Sequence, residues 1–194
     1  LIESRDGSTG LHVKNTQNYV QILTKALREK GMYPDILDHN YELNTVKASV
    51  LHDIGKIKTP DAILLKPGRL TDEEFEVMKQ HTVAGCEIID RIIGNVEHEE
   101  YVDIARKIAR YHHERWDGTG YPDGLSGEEI PLCARIMALA DVFDALYQDR
   151  CYKKAIRPAS KVFEIIKENS GSQFDPNLTE IFLELQRKIT DISE

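Results

Sequence analysis

The segment Ile136–Phe143 has the sequence IMALADVF and is central to the architecture that the chain predicts. Its apolar residues recur at helical spacing and favour one helix over Pro131–Gln148. A single carboxylate, Asp141, stands inside this apolar run. Because burying a carboxylate is costly unless a cation or a hydrogen-bond donor meets it, we expect Asp141 to have a specific partner in the core.

The rest of the chain follows the same helical periodicity, and no alternating strand pattern competes with it. Thr71 and Glu74 have the spacing of a capping box at the start of one helix, and Gly31 and Gly55 are expected to stop the first two. The sequence therefore predicts an all-α bundle of about seven helices. The predicted helices are His12–Lys30, Asp38–Lys56, Asp72–Ile93, Glu97–His113, Pro131–Gln148, Pro158–Asn169 and Asn177–Ile189.

Two loops rich in glycine and proline interrupt this pattern, at Thr59–Leu70 and Glu114–Ile130. The second is longer than the usual connection between bundle helices. Either a functional role or disorder has to account for its length.

Length and charge limit the class of protein. The 194 residues suit one domain, and 25 basic against 33 acidic side chains give a net charge of −8. An acidic chain gains no general attraction to a polyphosphate backbone, so we expect no polymeric nucleic acid as a partner. A small anionic ligand remains compatible with local cations.

Other features of the sequence predict the cellular location of the protein. The sequence has no run of about 18 apolar residues and its first residues have no signal-peptide pattern, so we expect no membrane insertion. The three cysteines, Cys86, Cys133 and Cys151, are widely spaced, which suits a reducing cytoplasm. Because the chain begins at Leu1 rather than at Met, we expect residues 1–194 to be a single domain cut from a longer protein.

Five histidines and two aspartates lie on or near apolar helical stretches. Imidazole and carboxylate are ligands of divalent metals, and the set exceeds what one tetrahedral ion needs. Two ions that share a bridging carboxylate would use all seven. A lone histidine on an apolar face is more often a hydrogen-bonded core residue, and His39 and His98 are assigned to that class or to the surface. The seven candidates are His12, His52, Asp53, His81, His112, His113 and Asp141.

Three blocks of the sequence resemble the HD-GYP family, a subset of the HD-domain metal-dependent phosphohydrolases. They are HDIGK at residues 52–56, HHERWDGTGYP at 112–122 and DVFDAL at 141–146. An isolated His-Asp pair is a weak signal, whereas these three blocks in this order are highly specific. The resemblance extends from Arg5-Asp6 to Phe174-Asp175-Pro176 and covers most of the chain.

The resemblance implies an HD-domain helical bundle that hydrolyses cyclic di-GMP to linear pGpG and, on further cleavage, to GMP. A hydroxide that bridges two iron or manganese ions would be the nucleophile, and the seven residues above would hold the ions, with Asp53 as the bridge. Lys56 matches the lysine near the scissile phosphate, and Arg150 and Lys153 match an Arg-x-x-Lys motif that binds the phosphates. Tyr121 is expected to contact the substrate.

The resemblance also implies partners outside the pocket. The loop Gly120-Tyr121-Pro122 is linked in the family to contact with a partner protein, and a regulatory domain usually precedes this one. Both are expectations for the longer protein.

Three positions depart from the family pattern. Ser8 stands where many members have a glutamate that helps to bind a third ion, and a neutral hydroxyl is a poor ligand beside carboxylate. We therefore predict a two-metal centre. Asn15 replaces a common basic residue, and Cys151 replaces the proline of the Arg-x-x-Lys motif.

Two alternatives remain open at this point. The chain could be a module that binds a cyclic dinucleotide or a partner without turnover, although the intact ligand set and Lys56 argue against it. It could also be an HD phosphohydrolase for another nucleotide, which the His-Asp pair alone would allow and the Gly-Tyr-Pro block disfavours.

Overall fold

The computed structural model of the chain describes residues 10–94, 99–148 and 155–193. Within these ranges the protein is entirely helical apart from its loops, with nine α-helices, three short 3₁₀ helices and no strand. The prediction of an all-α fold is confirmed. The α-helices are α1 (Gly10–Glu29), α2 (His39–Ala48), α3 (Asp61–Leu64), α4 (Asp72–Ile93), α5 (Glu99–Tyr111), α6 (Leu132–Tyr147), α7 (Ala159–Glu168), α8 (Pro176–Glu184) and α9 (Gln186–Ser193).

Helix α6 lies at the centre of the molecule and is buried along nearly its whole length. It packs against α1, α5, α7 and α8, and α1 also packs against α2. Phe143 of α6 contacts the rings of Tyr19, Phe163 and Phe182 at centroid distances of 5.1, 4.9 and 5.7 Å. Full burial of one such aromatic side chain contributes about 1.5–3 kcal/mol. The segment that carries Asp141 is therefore held rigidly by apolar packing.

Local signals fix several helix ends as predicted. The Thr71 hydroxyl accepts the Glu74 N–H while the Glu74 carboxylate accepts the Thr71 N–H, so the capping box is present and α4 begins at Asp72. Gly31 has a positive φ of +67° just beyond the end of α1, which is the backbone conformation that a glycine stop requires.

The predicted helix Asp38–Lys56 is wrong in its second half. Helix α2 ends at Ala48, and two 3₁₀ helices follow, Ser49–Leu51 and Ile54–Lys58. Gly55 does not stop a helix; it allows the chain to approach α4. A Cβ atom at Gly55 would lie 1.8 Å from the carbonyl oxygen of His81 and 2.5 Å from the backbone nitrogen of Gly85. The close contact with α4 takes the place of a regular helix here.

Three other expectations differ in detail. The predicted helix Asn177–Ile189 is two helices, α8 and α9, that meet at Leu185. The loop Thr59–Leu70 contains the one-turn helix α3. Pro131 and Pro158 are the residues that precede α6 and α7 rather than their first residues. These differences raise the helix count from the predicted seven to nine in the described ranges.

The loop Glu114–Ile130 is ordered by a buried carboxylate. The Oε1 atom of Glu114 accepts the N–H groups of Asp123 and Gly124 at 2.8 and 3.1 Å, and Oε2 accepts that of Leu125 at 3.1 Å. Arg110 of α5 also forms a bidentate ion pair with Asp123. Disorder therefore does not account for the length of this loop.

No helix in residues 10–94, 99–148 or 155–193 has both the length and the apolar character that a bilayer crossing requires.

Candidate metal centre

Five separate parts of the fold bring the seven candidate residues to one pocket. The start of α1, the turn between the first two 3₁₀ helices, the middle of α4, the end of α5 and the centre of α6 all meet there. Two overlapping groups result, with ligand atoms within 4.8 Å of one another inside each group. One group is Asp53, His81, His112 and His113; the other is His12, His52 and Asp53.

Asp53 belongs to both groups because its two oxygens point in different directions. Its Oδ2 atom lies 3.3 Å from Nε2 of His52. Its Oδ1 atom lies 3.4 Å from Nε2 of His81 and 3.8 Å from Nε2 of His112. This is the placement that a carboxylate shared by two ions requires.

Asp141 joins the group that contains His12 and His52. Its Oδ1 atom lies 3.6 Å from Nε2 of His12 and 4.0 Å from Nε2 of His52. The carboxylate that stood out in the apolar sequence therefore faces imidazole nitrogens rather than aliphatic side chains.

The chemistry of the donor set fits divalent metal ions. His52, His81 and His112 donate their Nδ1–H groups to the backbone carbonyls of Ser49, Met78 and Ile108 at 2.8, 2.7 and 2.9 Å. Each ring therefore directs its Nε2 atom into the pocket. These three Nε2 atoms and Oδ1 of Asp53 are buried and have no hydrogen-bond partner among the described residues. Buried polar atoms are rarely left in this state, and a cation would satisfy all four.

The pKa values of His52 and His112 are shifted in opposite directions. Burial, together with the nearby His52, lowers the pKa of His112 to about 3. Burial also opposes the charged form of His52, yet the carboxylates of Asp53 and Asp141 outweigh it and raise the pKa of His52 to about 9. A divalent ion bound at Nε2 of His52 would therefore displace a proton from that ring.

Lys56 lies at the edge of the same pocket. Its Nζ atom is 2.7 Å from Oδ2 of Asp53, and its side chain is 17% exposed. Burial raises the pKa of Asp53, but the Lys56 ammonium and the nearby His52 lower it more, so that its net shift is well below the usual value. A cation therefore stands beside the candidate bridging carboxylate.

Tyr121 covers one side of the histidine cluster. Its ring lies 4.9 Å from that of His113 and 6.0 Å from that of Phe75, which is 42% exposed. The Lys79 ammonium lies over both the Phe75 and the Tyr121 rings, at 5.1 and 5.7 Å. Phe75 and Lys79 were not predicted from the sequence as parts of this rim.

Two predicted substrate contacts, Arg150 and Lys153, lie outside the described residues, as do Ser8 and His98. His39 has a side chain that is 66% exposed, as predicted for a surface histidine.

The sequence indicated no role for the buried carboxylate of Glu114, and it marked Asp144, on the same helix face as Asp141, only as a candidate for supporting the metal ligands. Glu114 orders the loop that carries Tyr121, and Asp144 accepts a hydrogen bond from His12 at 2.6 Å. In the sequence, each of these carboxylates is an acidic residue in an otherwise apolar or glycine-rich segment. That pattern does not reveal the hydrogen-bond partner of either residue.

Comparison with known proteins identifies the family. The family model described as HD domain matches residues 11–178, which is most of the chain. The chain belongs to the HD domain family. The blocks at residues 52–56 and 112–122 place it in the HD-GYP subset of that family, as the sequence predicted.

Three relatives illustrate the range of similarity. The HD domain is 47% identical to a cyclic di-GMP phosphodiesterase of Vibrio cholerae, over 100% of this chain and 39% of that protein. It is 37% identical to 3′3′-cGAMP-specific phosphodiesterase 2 of the same organism, over 94% of this chain and 32% of that protein. The solved structure of Bd1817, an HDG"Y"P protein from Bdellovibrio bacteriovorus, matches with a TM-score of 0.61 at 18% identity, over 89% of this chain and 51% of that one.

The structural match supports the fold alone, because its sequence identity is low. The HD domain spans 39% and 32% of the length of the two curated relatives described above.

Proposed function

We propose that this HD domain is a metal-dependent phosphodiesterase that hydrolyses cyclic di-GMP to linear pGpG. The observation that carries the proposal is Asp53, whose two oxygens face separate groups of imidazole nitrogens. The similarity to a cyclic di-GMP phosphodiesterase over the whole chain supports the choice of substrate. GMP would form if pGpG is cleaved again.

The residues proposed to hold two divalent ions are His81, His112 and His113 on one side and His12, His52 and Asp141 on the other, with Asp53 shared. Two such ions would supply Lewis-acid activation of a water molecule and would neutralise charge on the phosphate. Iron or manganese is proposed as the metal from the family resemblance, since nitrogen and oxygen ligands suit several transition metals.

Other side chains of the domain are proposed to bind and orient the substrate. The Lys56 ammonium, beside Asp53, is in a position to bind a phosphate oxygen as a point charge. Tyr121, whose ring lies 4.9 Å from that of His113, is proposed to contact the substrate. Arg150 and Lys153 are proposed to bind the second phosphate, as their motif implies.

Proposals about partners and location rest on the sequence pattern. We infer that the Gly120-Tyr121-Pro122 loop is a site of contact with a protein partner and that a regulatory domain accompanies this one in a longer protein. The curated relatives extend well beyond the matched region, which is compatible with such a domain. A cytoplasmic location and the absence of a polymeric nucleic-acid partner stay predictions.

A second substrate is favoured by one observation, the similarity to a 3′3′-cGAMP-specific phosphodiesterase. The hybrid cyclic dinucleotide has the same backbone with one guanine exchanged for adenine. The metal centre alone would not discriminate between the two.

A substrate panel tests the proposal. The domain is stripped of metal, reconstituted anaerobically with Mn²⁺ or Fe²⁺, and assayed with cyclic di-GMP, 3′3′-cGAMP, pGpG and a mononucleotide ester. We expect cyclic di-GMP to be cleaved with the highest kcat/KM. Preference for 3′3′-cGAMP would reassign the substrate, and binding without cleavage by the fully metallated protein would identify a binding module instead.

A further inference from the structure

His12 differs from the other histidines of the centre in what holds its ring. Its Nδ1 atom donates to Oδ2 of Asp144 at 2.6 Å, whereas His52, His81 and His112 donate to backbone carbonyls. A carboxylate partner fixes the imidazole ring and raises the basicity of its other nitrogen more than a neutral carbonyl does. Among these four rings, only His12 therefore has a charged support.

Asp144 is fully committed to this support. Its side chain is completely buried, and its second oxygen, Oδ1, accepts the side-chain amide of Asn15 at 3.2 Å. Since each oxygen has a donor, Asp144 is not arranged as a ligand. Its contact with His12 leaves Nε2 of that ring free to face Oδ1 of Asp141.

Asp141 and Asp144 lie one turn apart on α6, on the same side of the helix. One helix thus contributes a candidate ligand and also the group that orients another candidate ligand from α1. The charged support acts on only one of the two groups of ligand atoms, the one containing His12 and His52.

We propose that Asp144 is a positioning residue for one half of the metal centre. Its carboxylate fixes His12 with Nε2 toward the ion and strengthens that donor, so that loss of the charge weakens one ion and leaves the other in place. This inference rests on the proposed two-metal centre, but it concerns metal binding and not the identity of the nucleotide.

A merely structural role has to be separated from this one, because Asp144 also joins α1 to α6. The substitution Asp144→Asn keeps the size of the side chain. Its amide oxygen can accept from His12, and its NH₂ group can donate to Asn15 once that amide is turned over. The variant therefore removes mainly the charge. The matched control Asn15→Ala removes the other hydrogen bond of Asp144 and keeps the charge.

The test titrates Mn²⁺ into the metal-stripped domain and measures free Mn²⁺ by its EPR signal, with circular dichroism to verify folding. We expect two equivalents in the native domain. In Asp144→Asn one equivalent should weaken by about 10- to 100-fold while the other keeps its affinity. Asn15→Ala should lower the melting temperature but leave both affinities close to native.

Two outcomes would overturn the proposal. The first is native affinity for both Mn²⁺ equivalents in Asp144→Asn. The second is that each variant, Asp144→Asn and Asn15→Ala, weakens both Mn²⁺ equivalents by the same factor, which would indicate a structural role. If the native domain bound no Mn²⁺, the two-metal function would fail and this inference with it. If the native domain bound two ions but did not cleave cyclic di-GMP, only the proposed substrate would be wrong, and the Mn²⁺ affinities would still decide the role of Asp144.

A measurement on the native protein covers the case in which Asp144→Asn does not fold. Long-range ¹H–¹⁵N NMR of the zinc-loaded domain reports which ring nitrogen of His12 carries hydrogen, with His12→Gln to assign the signals. We expect hydrogen on Nδ1 and the metal at Nε2. Hydrogen on Nε2 would refute the proposal.

Discussion

Asp53 is the residue at which the two halves of the pocket meet, and its chemistry depends on both of its oxygens. The sequence alone predicted that a bridging carboxylate was needed and the family resemblance selected Asp53. The supporting residues could not be predicted in the same way. Asp144 lies 132 positions from His12, and Glu114 acts through backbone N–H groups, so neither contact follows from spacing along the chain.

Replacement of Asp53 by alanine should abolish metal retention and activity together, because the proposed shared ligand would serve both ions. Metal content by mass spectrometry and the phosphodiesterase assay measure the two effects. The control is Asp103→Ala, which removes one partner of an exposed ion pair with Lys107 on α5 and should change neither. Retention of two tightly bound ions in Asp53→Ala would contradict the bridging role.

Replacement of Lys56 by alanine should slow turnover by about 10²- to 10³-fold, as for the loss of one preorganised donor to developing charge. The metal content should stay at the native level, since no ligand is lost. Lys58→Ala is the matched control, because Lys58 is exposed and pairs with Glu87 on α4 at 2.8 Å. Turnover at the native rate in Lys56→Ala would remove it from the mechanism.

At the level of elements, the decisive feature is the break that follows α2. Hydrophobic periodicity predicted a helix through His52 and Asp53 because 3₁₀ and α-helical spacing are too similar to separate over a few residues. What interrupts the helix is a distant contact, the approach of Gly55 to the backbone of α4. Long amphipathic helices with local caps, such as α4, were predicted to the residue because their signals are contained within the segment.

Replacement of Gly55 by alanine should therefore damage the pocket. The added Cβ would meet backbone atoms of His81 and Gly85, which cannot move like a flexible side chain, so the segment Ile54–Lys58 must shift. We expect a loss of stability of about 1–3 kcal/mol, as for overpacking, together with weaker metal binding. Chemical denaturation and metal titration measure the two effects.

Gly31→Ala provides the comparison for this substitution. Gly31 has a positive φ, and a Cβ atom added there would have no atom within 4 Å, so alanine should cost about 1–2 kcal/mol by backbone strain alone. Metal affinity should remain native. If Gly55→Ala bound metal as tightly as Gly31→Ala does, the close approach would not be needed for the site.

At the level of the whole molecule, the pocket collects ligands from the first helix through to α6, so the ions should hold the bundle together. Ligands that bind only the folded state stabilise it by about 2.7 kcal/mol per ion at a concentration of 100 Kd. A change of 1 kcal/mol shifts Tm by about 2–4 °C for a domain of this size. Saturation of one ion should thus raise Tm by about 5–11 °C.

Thermal melts with excess Mn²⁺ and with a chelator measure this shift. The variant Asp53→Ala should melt at the same temperature in both conditions, which separates site binding from general salt effects. An equal Tm with and without the metal in the native domain would contradict the stabilising role.

The contact of Trp116 with the turn before α8 makes this part of the fold accessible to fluorescence. The backbone N–H of Trp116 donates to the carbonyl oxygen of Gln173 at 3.2 Å, and the Arg135 guanidinium lies 5.8 Å from the Trp116 ring while it pairs with Asp175. Trp116 is the single tryptophan of the sequence. Its intrinsic fluorescence is therefore a label-free reporter of whether the start of the Glu114–Ile130 loop stays docked on this turn when a nucleotide is added.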